Sequence, residues 1–585
     1  MDYEQHFKDC GYELYPHQLK GLKFMENKER NGTGGILADD VGLGKTIQII
    51  ALLYTRPGNT LIACPPGVAP QWMEKLNTLL PEDKYEIVPY YSQKEKKHTN
   101  IQEITQKCED EDRILVVVTT HGQIALNSCS FLQVEVWDRV VVDEAHFLRN
   151  PATKLFLNCK RLFALYKWML TATPVQNKAN DLYSLLYIAC GMKGQTKLGK
   201  KKGISEIVRL RNQFVLRRCK HEILHKLPPL EIENMSCKFI SNAEQDFYHK
   251  LEKHTTEEFK EAMKRKNVNY MIAVLEMLLR LRQCSFHPQL VIDGYKKKGW
   301  FRDDLQEWTG ATTKLHYLEK TVLKELKDDP TQHTLIFCQF HMEMEMIQIM
   351  LRRHGFTTFI YSGKTRAEAR ADVVTGLLRP QFLIIQIKAG GAGLNLQMYN
   401  RVFFTSLDWN PSNEFQAIGR AHRSGQRKPV KVTRLLLEWN DAYAEKLAGI
   451  REQLTQMDTR IEKKKAKLEK TRAKRTNQEK KTQAQIVATT EVIGGNKAIV
   501  PVVDYTQQII DLQAEIRELK QRKTVIEDKH KMHTIDHRIF QIQNEKTDIQ
   551  VDVLDDRYLK QVHNYKIRGT VTMNLNQKDF NNLLG

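Results

Sequence analysis

The sequence predicts an α/β protein with two consecutive parallel-sheet domains, a helical insertion between them, and a C-terminal α-helical, coiled-coil hairpin. Three observations carry this. From residue 36 onward, and again from about residue 333, short apolar runs alternate with amphipathic stretches, the pattern of strands buried on both faces. Between the two series the pattern turns helical, as in MIAVLEMLLRLRQ at 271–283. After Asn440 the apolar residues fall at heptad spacing. A chain of 585 residues also exceeds one core. The expected divisions are 1–204 and 331–440 for the sheet domains, 205–330 for the insertion and connector, 441–550 for the hairpin, and 551–585 for a tail with no readable motif.

In the first domain the strand candidates are GGILA, TLIACPP at 60–66, RILVVVTT at 113–120, RVVVDEAH at 139–146 and YKWMLTATP at 166–174. Such sheets bind ligands where strands end. After the first run comes ADDVGLGKTIQ at 38–48. A strict G-x-x-x-x-G-K-[ST] phosphate loop has glycine where Asp39 stands here. What remains is Gly42-Leu43-Gly44-Lys45-Thr46. Its glycines let backbone N–H groups approach phosphates, Lys45 offers a point charge, and Thr46 offers a hydroxyl for magnesium. Taken alone the fragment reads equally well as a glycine-rich turn before a helix. VVVDEAHFL at 140–148 adds an acidic pair at a strand end. After a phosphate loop, Asp143 would hold Mg2+ and Glu144 would orient an attacking water.

The second domain shows HTLIFCQF at 333–340, TTFIYSG, QFLIIQIKAGGAG, RVFFTSLDWNP and VKVTRLLLEW. Within QAIGRAHRSGQ at 416–426, Arg420 and Arg423 stand at helical i, i+3 spacing, so both guanidinium groups can leave one face. Facing a nucleotide held by the first domain, they would neutralise charge at its γ-phosphate, and hydrolysis would require the domains to close. Taken alone, a surface basic helix is the better reading.

In the hairpin, Leu447, Ile450, Leu454, Met457, Ile461 and Leu468 form one heptad series, and Ile509, Leu512, Ile516, Leu519 and Ile526 the other. Lys464 and Lys523 fall on the seam, leaving its packing imperfect and oligomerisation open. The formal charge of +20 points to a polyanion, nucleic acid before an acidic membrane surface. Between Arg460 and Lys481 there are eleven Lys or Arg against three Glu, a stretch expected to contact DNA or a partner, or to act as a nuclear localisation signal. Removing 441–585 is expected to weaken DNA binding or partner recruitment and leave the chemistry of the sheet domains intact. Ten cysteines stand singly with no C-x-x-C pair, arguing against disulfides and structural zinc. No apolar run approaches a membrane span and the amino terminus has no secretory signal. The expectation is an intracellular protein, nuclear or at a viral replication or transcription site.

The motifs DDVGLGKTIQ, CPPGVAPQW, DEAHFLRN, LTATPVQN, FVLRR, RLRQCSFHPQL, LIFCQF, AGGAGLNLQ and WNPSNEFQAIGRAHRSGQ, in this order over residues 14 to about 437, resemble those of the Swi/Snf-type ATPases of helicase superfamily two. The resemblance implies two tandem RecA-like lobes, ATP and Mg2+ as cofactors, and double-stranded DNA as partner. It implies that Gln18 contacts adenine and that Asp39, Gly42, Leu43, Gly44, Lys45, Thr46 and Gly393 bind nucleotide. Asp143 and Glu144 would act as above, Gln416 would line the interdomain cleft, and Arg420 and Arg423 would be arginine fingers. Thr171, Thr173, Gly390, Gly391 and Asn395 would couple the cleft to DNA. Asp39 is normal for this family. Within it the chain looks most like the branch of the Lodestar termination ATPases and fork-remodelling ligases, without the paired cysteines of their RING. It opens almost at the adenine motif, so no amino-terminal reader domain is expected.

The function this implies is an ATP-driven translocase on duplex DNA that remodels or displaces bound protein, a nucleosome or a polymerase. Two alternatives stand beside it: a strand-separating DNA or RNA helicase, and a nucleic-acid-binding scaffold with a vestigial ATPase.

Overall fold

The computed structural model describes residues 3–91, 100–126, 137–191, 203–223, 227–265, 268–297, 306–366, 368–369, 372–373, 376–389, 394, 396–423, 425–490, 505–529 and 533–554. Two parallel sheets organise it. The first contains β1 (Gly35–Leu37), β2 (Thr60–Cys64), β3 (Tyr85–Tyr90), β4 (Ile114–Thr120), β5 (Trp137–Val142), β6 (Ala164–Leu170) and β7 (Val215–Leu216), in the order β3-β4-β2-β5-β6-β1-β7. The second contains β8 (Leu230–Lys238), β9 (Thr334–Cys338), β10 (Thr358–Tyr361), β11 (Phe382–Gln386), β12 (Arg401–Phe404) and β13 (Val430–Glu438), in the order β10-β11-β9-β12-β13-β8. Each apolar run quoted above supplies a strand. The cause is visible in β2 and β9, where all five residues are buried: only Val, Ile, Leu and their like can sit between two helical layers.

Two strands come from the segment expected to be helical. β7 extends the first sheet beside β1. β8 pairs with β13 over nine residues at the edge of the second sheet. Its sequence, LEIENMSCK, is largely half-exposed and carries no apolar run to announce it.

The chain also embeds charge at the start of its strands. Glu29 is almost fully buried and accepts from Arg139 Nε at 2.7 Å, Arg56 Nε at 2.9 Å and Trp168 Nε1 at 3.0 Å. Glu414 likewise accepts from Arg434 Nε at 2.9 Å. The nine described cysteines are free thiols, and no described helix is long and apolar enough to cross a membrane.

Six helices carry the argument: α1 (Pro16–Arg30), α2 (Lys45–Thr55), α3 (Pro411–Ala421), α4 (Asp441–Thr490), α5 (Thr506–Lys529) and α6 (Ile535–Leu554). α4 and α5 form the antiparallel hairpin, with Ile461, Ile509, Leu512 and Ile516 buried between them. The seam lysines are accommodated across it: Lys523 meets Asp458 at 2.6 Å and Lys464 pairs with Glu515.

α6 leaves the hairpin and packs on the lobes. Asp536 pairs with the fully buried Lys314 at 2.6 Å, and also accepts from Leu437 N and Ser285 Oγ. Arg538 pairs with buried Glu252. Gln543 donates to Glu414 at 2.6 Å and Lys546 to the Trp409 carbonyl at 2.7 Å. At its far end Leu554 joins the core of the first lobe, with Ile36 and Val142. Removing 441–585 would therefore strip buried ion pairs from the lobes as well as the hairpin, contrary to the expectation that lobe chemistry stays intact. Asp536→Ala, which removes the ion-pair partner of the Lys314 ammonium and leaves it the Thr405 carbonyl at 2.8 Å, is expected to lower stability by about 3–5 kcal/mol; a denaturant midpoint equal to wild type would disprove this role.

Candidate active site

The register of the first sheet assembles the site. Leu37 of β1 is level with Leu170 of β6 and Leu216 of β7, and Val142 of β5 is level with Met169. The segments that follow these four adjacent strands, residues 38–44, 143–144, 171–173 and 217–220, therefore leave the sheet at one edge.

The first segment is a phosphate cradle by conformation. Gly42 and Gly44 have φ of +91° and +79°, and Gly44 is the N-cap of α2. These backbones turn the start of α2 toward the cleft, where free N–H groups and the helix dipole favour an anion. The left-handed φ of Gly44 disfavours any residue with a Cβ, and a Cβ there would also displace the Gln18 amide, 2.2 Å away at Nε2. Leu43 is buried and its carbonyl faces inward, accepting from His17 Nε2 at 3.0 Å and Gln18 Nε2 at 3.3 Å. Lys45 Nζ donates to the carbonyl of Asp39 at 2.7 Å. Thr46, next on the helix, is half-buried.

Two expected nucleotide contacts look different in the structure. The Asp39 side chain, fully buried, is committed to the protein: Arg218 Nε donates to it at 2.8 Å and Gln48 Nε2 at 3.1 Å. Asp39 thus shapes the loop from behind rather than lining the nucleotide, because a buried carboxylate beside a guanidinium has no reason to face a phosphate. Gln18 spends its amide on Leu43 and on Tyr15 N, at 3.0 Å. The half-exposed Tyr15 ring stacks on His17 at 5.8 Å beside the loop, an aromatic face that no motif announced.

Asp143 and Glu144 follow β5. Asp143 accepts from Trp72 Nε1 at 3.0 Å and from Glu144 N at 2.9 Å. Burial, with the neighbouring Glu144 charge, holds its carboxyl above the usual range. Glu144 adopts a left-handed backbone, φ +48° and ψ +46°, a strain of about 1–2 kcal/mol for a residue with a Cβ. Burial alone would raise its carboxyl too, but His146, Lys45 and Arg420 outweigh this and hold it at about 2. Glu144 is the more acidic member of the pair. The hard oxygens of Thr46 and Asp143 suit magnesium. No group of three or more His, Cys, Asp or Glu side chains among the described residues could hold a metal alone, so an ion here would share its ligands with phosphates.

A polar chain runs from Glu144 across to the second lobe. His146 Nδ1 lies 3.2 Å from Glu144 Oε2 and 3.4 Å from Thr171 Oγ1. Thr171 Oγ1 accepts from Thr173 N at 3.1 Å, and Thr173 Oγ1 accepts from Gln416 Nε2 of α3 at 3.4 Å. Arg420, buried at the end of α3, is close enough to feel both Asp143 and Glu144. Arg423 lies against the loop: a Cβ on Gly42 would stand 3.4 Å from its own. Lys220 is the residue that sequence reasoning missed. It is buried, and its ammonium is pushed down to about 7 by burial, with Arg423, Arg420 and Lys45 adding repulsion against the attraction of Asp40. It stands two residues past the FVLRR motif, and only its position between lobes gives it meaning.

Lys45, Lys220, Arg420 and Arg423 thus gather beside one carboxylate pair. Such an excess of cations, Lys220 and Arg420 buried and Lys45 and Arg423 half-buried, calls for a polyanionic ligand, and the glycine cradle fits a phosphate chain. Gly390, Gly391, Gly393 and Asn395 lie outside the described residues. Gly44→Ala is expected to weaken binding of a fluorescent ATP analogue at least tenfold without loss of helix content by circular dichroism; equal affinity would mean the cradle is not the binding element.

Comparison with known proteins agrees with this geometry. Residues 17–290 match the SNF2-related domain and residues 313–425 the helicase conserved C-terminal domain. A chromodomain-helicase-DNA-binding protein 1-like of Danio rerio is 31% identical over 447 residues, 72% of this chain and 41% of its own length. A probable global transactivator of Orgyia pseudotsugata multicapsid polyhedrosis virus is 28% identical over 73% of this chain and 86% of its own. DNA repair protein RAD5B of Arabidopsis thaliana is 26% identical over 69% of this chain and 44% of its own. Except for the viral protein, the chain spans less than half the length of these relatives. Among solved structures, the Sulfolobus solfataricus SWI2/SNF2 ATPase core in complex with dsDNA is 26% identical, covers 73% of this chain and 88% of that one, and aligns with a TM-score of 0.35. The two domain matches, in tandem over the two lobes that meet at this site, make the chain a member of the Swi/Snf-type ATPases of helicase superfamily two.

Proposed function

We propose that this chain is a DNA-stimulated ATPase that translocates on double-stranded DNA and remodels or displaces protein complexes bound there. The observation that supports it most is the meeting of cations from two lobes at a glycine cradle and an ionised carboxylate. ATP is the polyanion that matches this arrangement. Magnesium, held by Thr46 and Asp143 together with the phosphates, would supply charge neutralisation at the transferring phosphoryl group.

The residues then divide the work. Lys45 and the start of α2 hold the phosphates. Glu144, ionised at neutral pH, orients the attacking water and takes its proton. Arg420 and Arg423 stabilise charge on the transferred phosphoryl group, an effect worth about 10³-fold or more where such arginines act. Because they come from the second lobe, hydrolysis needs closure. The chain Glu144–His146–Thr171–Thr173–Gln416 gives that closure a route to the base. Relatives named as a chromodomain-helicase-DNA-binding protein, a transactivator and a DNA repair protein support a DNA-bound protein as cargo, and a nuclear or viral site of action.

The hairpin supports the DNA reading. Arg460, Lys463, Lys467, Lys470, Lys474 and Lys481 are exposed on α4 and fall within one sector of about 80° over about 30 Å. Of the three acids within 460–481, Glu462 pairs with Lys465 and Glu479 with Arg475, and Glu469 falls about 180° from Arg460, outside the sector. What is left is a stripe of like charge that fits the phosphate backbone of a duplex.

Steady-state ATPase assays with single-stranded DNA, duplex DNA and duplex RNA test the main proposal. Selective stimulation by duplex DNA, lost in Glu144→Gln, is expected; equal stimulation by RNA or single strands would favour a strand-separating helicase, and no activity a scaffold. For the hairpin, replacing Lys463, Lys467, Lys470 and Lys474 together by Ala should reduce the slope of log K for duplex DNA against log salt by about three to four. An unchanged slope would remove DNA as the partner of the stripe.

A further inference from the structure

Lys220, counted so far only as one of the gathered cations, joins the parts of the site that come from the two lobes. Its backbone N–H donates to Asp40 Oδ2 at 3.0 Å, tying it to the phosphate loop. Its ammonium crosses the interface and donates to the carbonyl of His422 at 2.6 Å, within the turn between Arg420 and Arg423. Two glycines, one from each lobe, flank it: a Cβ on Gly42 would stand 3.8 Å from its Cε, and a Cβ on Gly419 3.5 Å from its Nζ, both ordinary contact distances. His422 is also held through its ring, whose Nε2 meets the Pro228 carbonyl at 2.8 Å.

We infer that Lys220 is a positioning residue, an ammonium clasp that holds the arginine turn 420–423 against the phosphate loop when the lobes close. Its contact is with a main-chain carbonyl, so it fixes where both arginines start whatever their rotamers. An ammonium has three donors, and this buried one has a single acceptor among the described residues, His422 O. Three further cations stand beside it against the single attraction of Asp40. The clasp is therefore poorly compensated until a polyphosphate fills the space between them, which makes closure dependent on bound nucleotide.

The inference rests on the ATPase reading, and the test separates the two. Wild type is first assayed with duplex DNA; an inactive wild type counts against the proposed function. With active wild type, Lys220→Met is expected to lower kcat about ten- to a hundredfold, as misplacement of catalytic groups does, with KM for ATP nearly unchanged. Lys220→Arg, which keeps charge and donors, should recover part of kcat. A fluorescence-transfer pair with one dye on each lobe should report closure with ADP and aluminium fluoride in wild type and its loss in Lys220→Met, while that variant still binds ADP. Unchanged kcat in Lys220→Met would overturn the inference. So would a rise in KM alone, which marks a simple phosphate contact, or equal loss in both variants with a fallen Tm, which marks a structural lysine.

Discussion

Positive charge gathered between two lobes is the constraint on which the rest of this structure depends. Two like charges about 5 Å apart at an effective dielectric of about 20 repel by roughly 3 kcal/mol, and four cations meet here with Asp143 and Glu144 nearby. Holding them requires a scaffold that does not relax. The parallel sheets supply it, since strands buried on both faces cannot shift without exposing apolar surface. The buried Glu29–Arg139 and Glu414–Arg434 pairs further pin helices to strands. On the proposed function a nucleotide polyphosphate would resolve the repulsion, and ligand and closure would favour one another.

The same constraint bears on the strained backbone of Glu144, the carboxylate proposed as the base. Glu144 must leave the sheet edge and still meet His146, and the left-handed turn after β5 accomplishes both. From His146 the polar chain through two threonines reaches Gln416, so Glu144 is linked to the lobe that carries Arg420 and Arg423. α6 adds a second mechanical link. Anchored through Asp536, Arg538 and Gln543, it ends with Leu554 in the core of the first lobe. Lobe motion therefore has to work against a helix that touches both.

Much of this was legible in the linear chain because the relevant signals are local. Apolar runs of five to seven residues announce strands buried on both faces. The residues after them, Lys45, Asp143, Glu144 and Thr171, are placed at the ligand edge by sheet direction alone, and Arg420 and Arg423 share a face by helical period. Heptad spacing announced the hairpin. β8 was missed because an edge strand is half-polar, and α6 because its contacts are with the lobes and not with the helices that precede it.

The sequence by itself determined two parallel-sheet lobes, a phosphate loop, an acidic pair and an arginine helix, since each follows from neighbours within one strand or turn. Only the tertiary structure decided that Asp39 belongs to Arg218, that Glu144 reaches Gln416 through His146 and the threonines, and that Lys220 grips His422. The physical reason is that polar groups choose partners by proximity in space. The partners lie 179 residues apart for Asp39 and Arg218 and 202 for Lys220 and His422, and nothing near either residue in the chain records the choice.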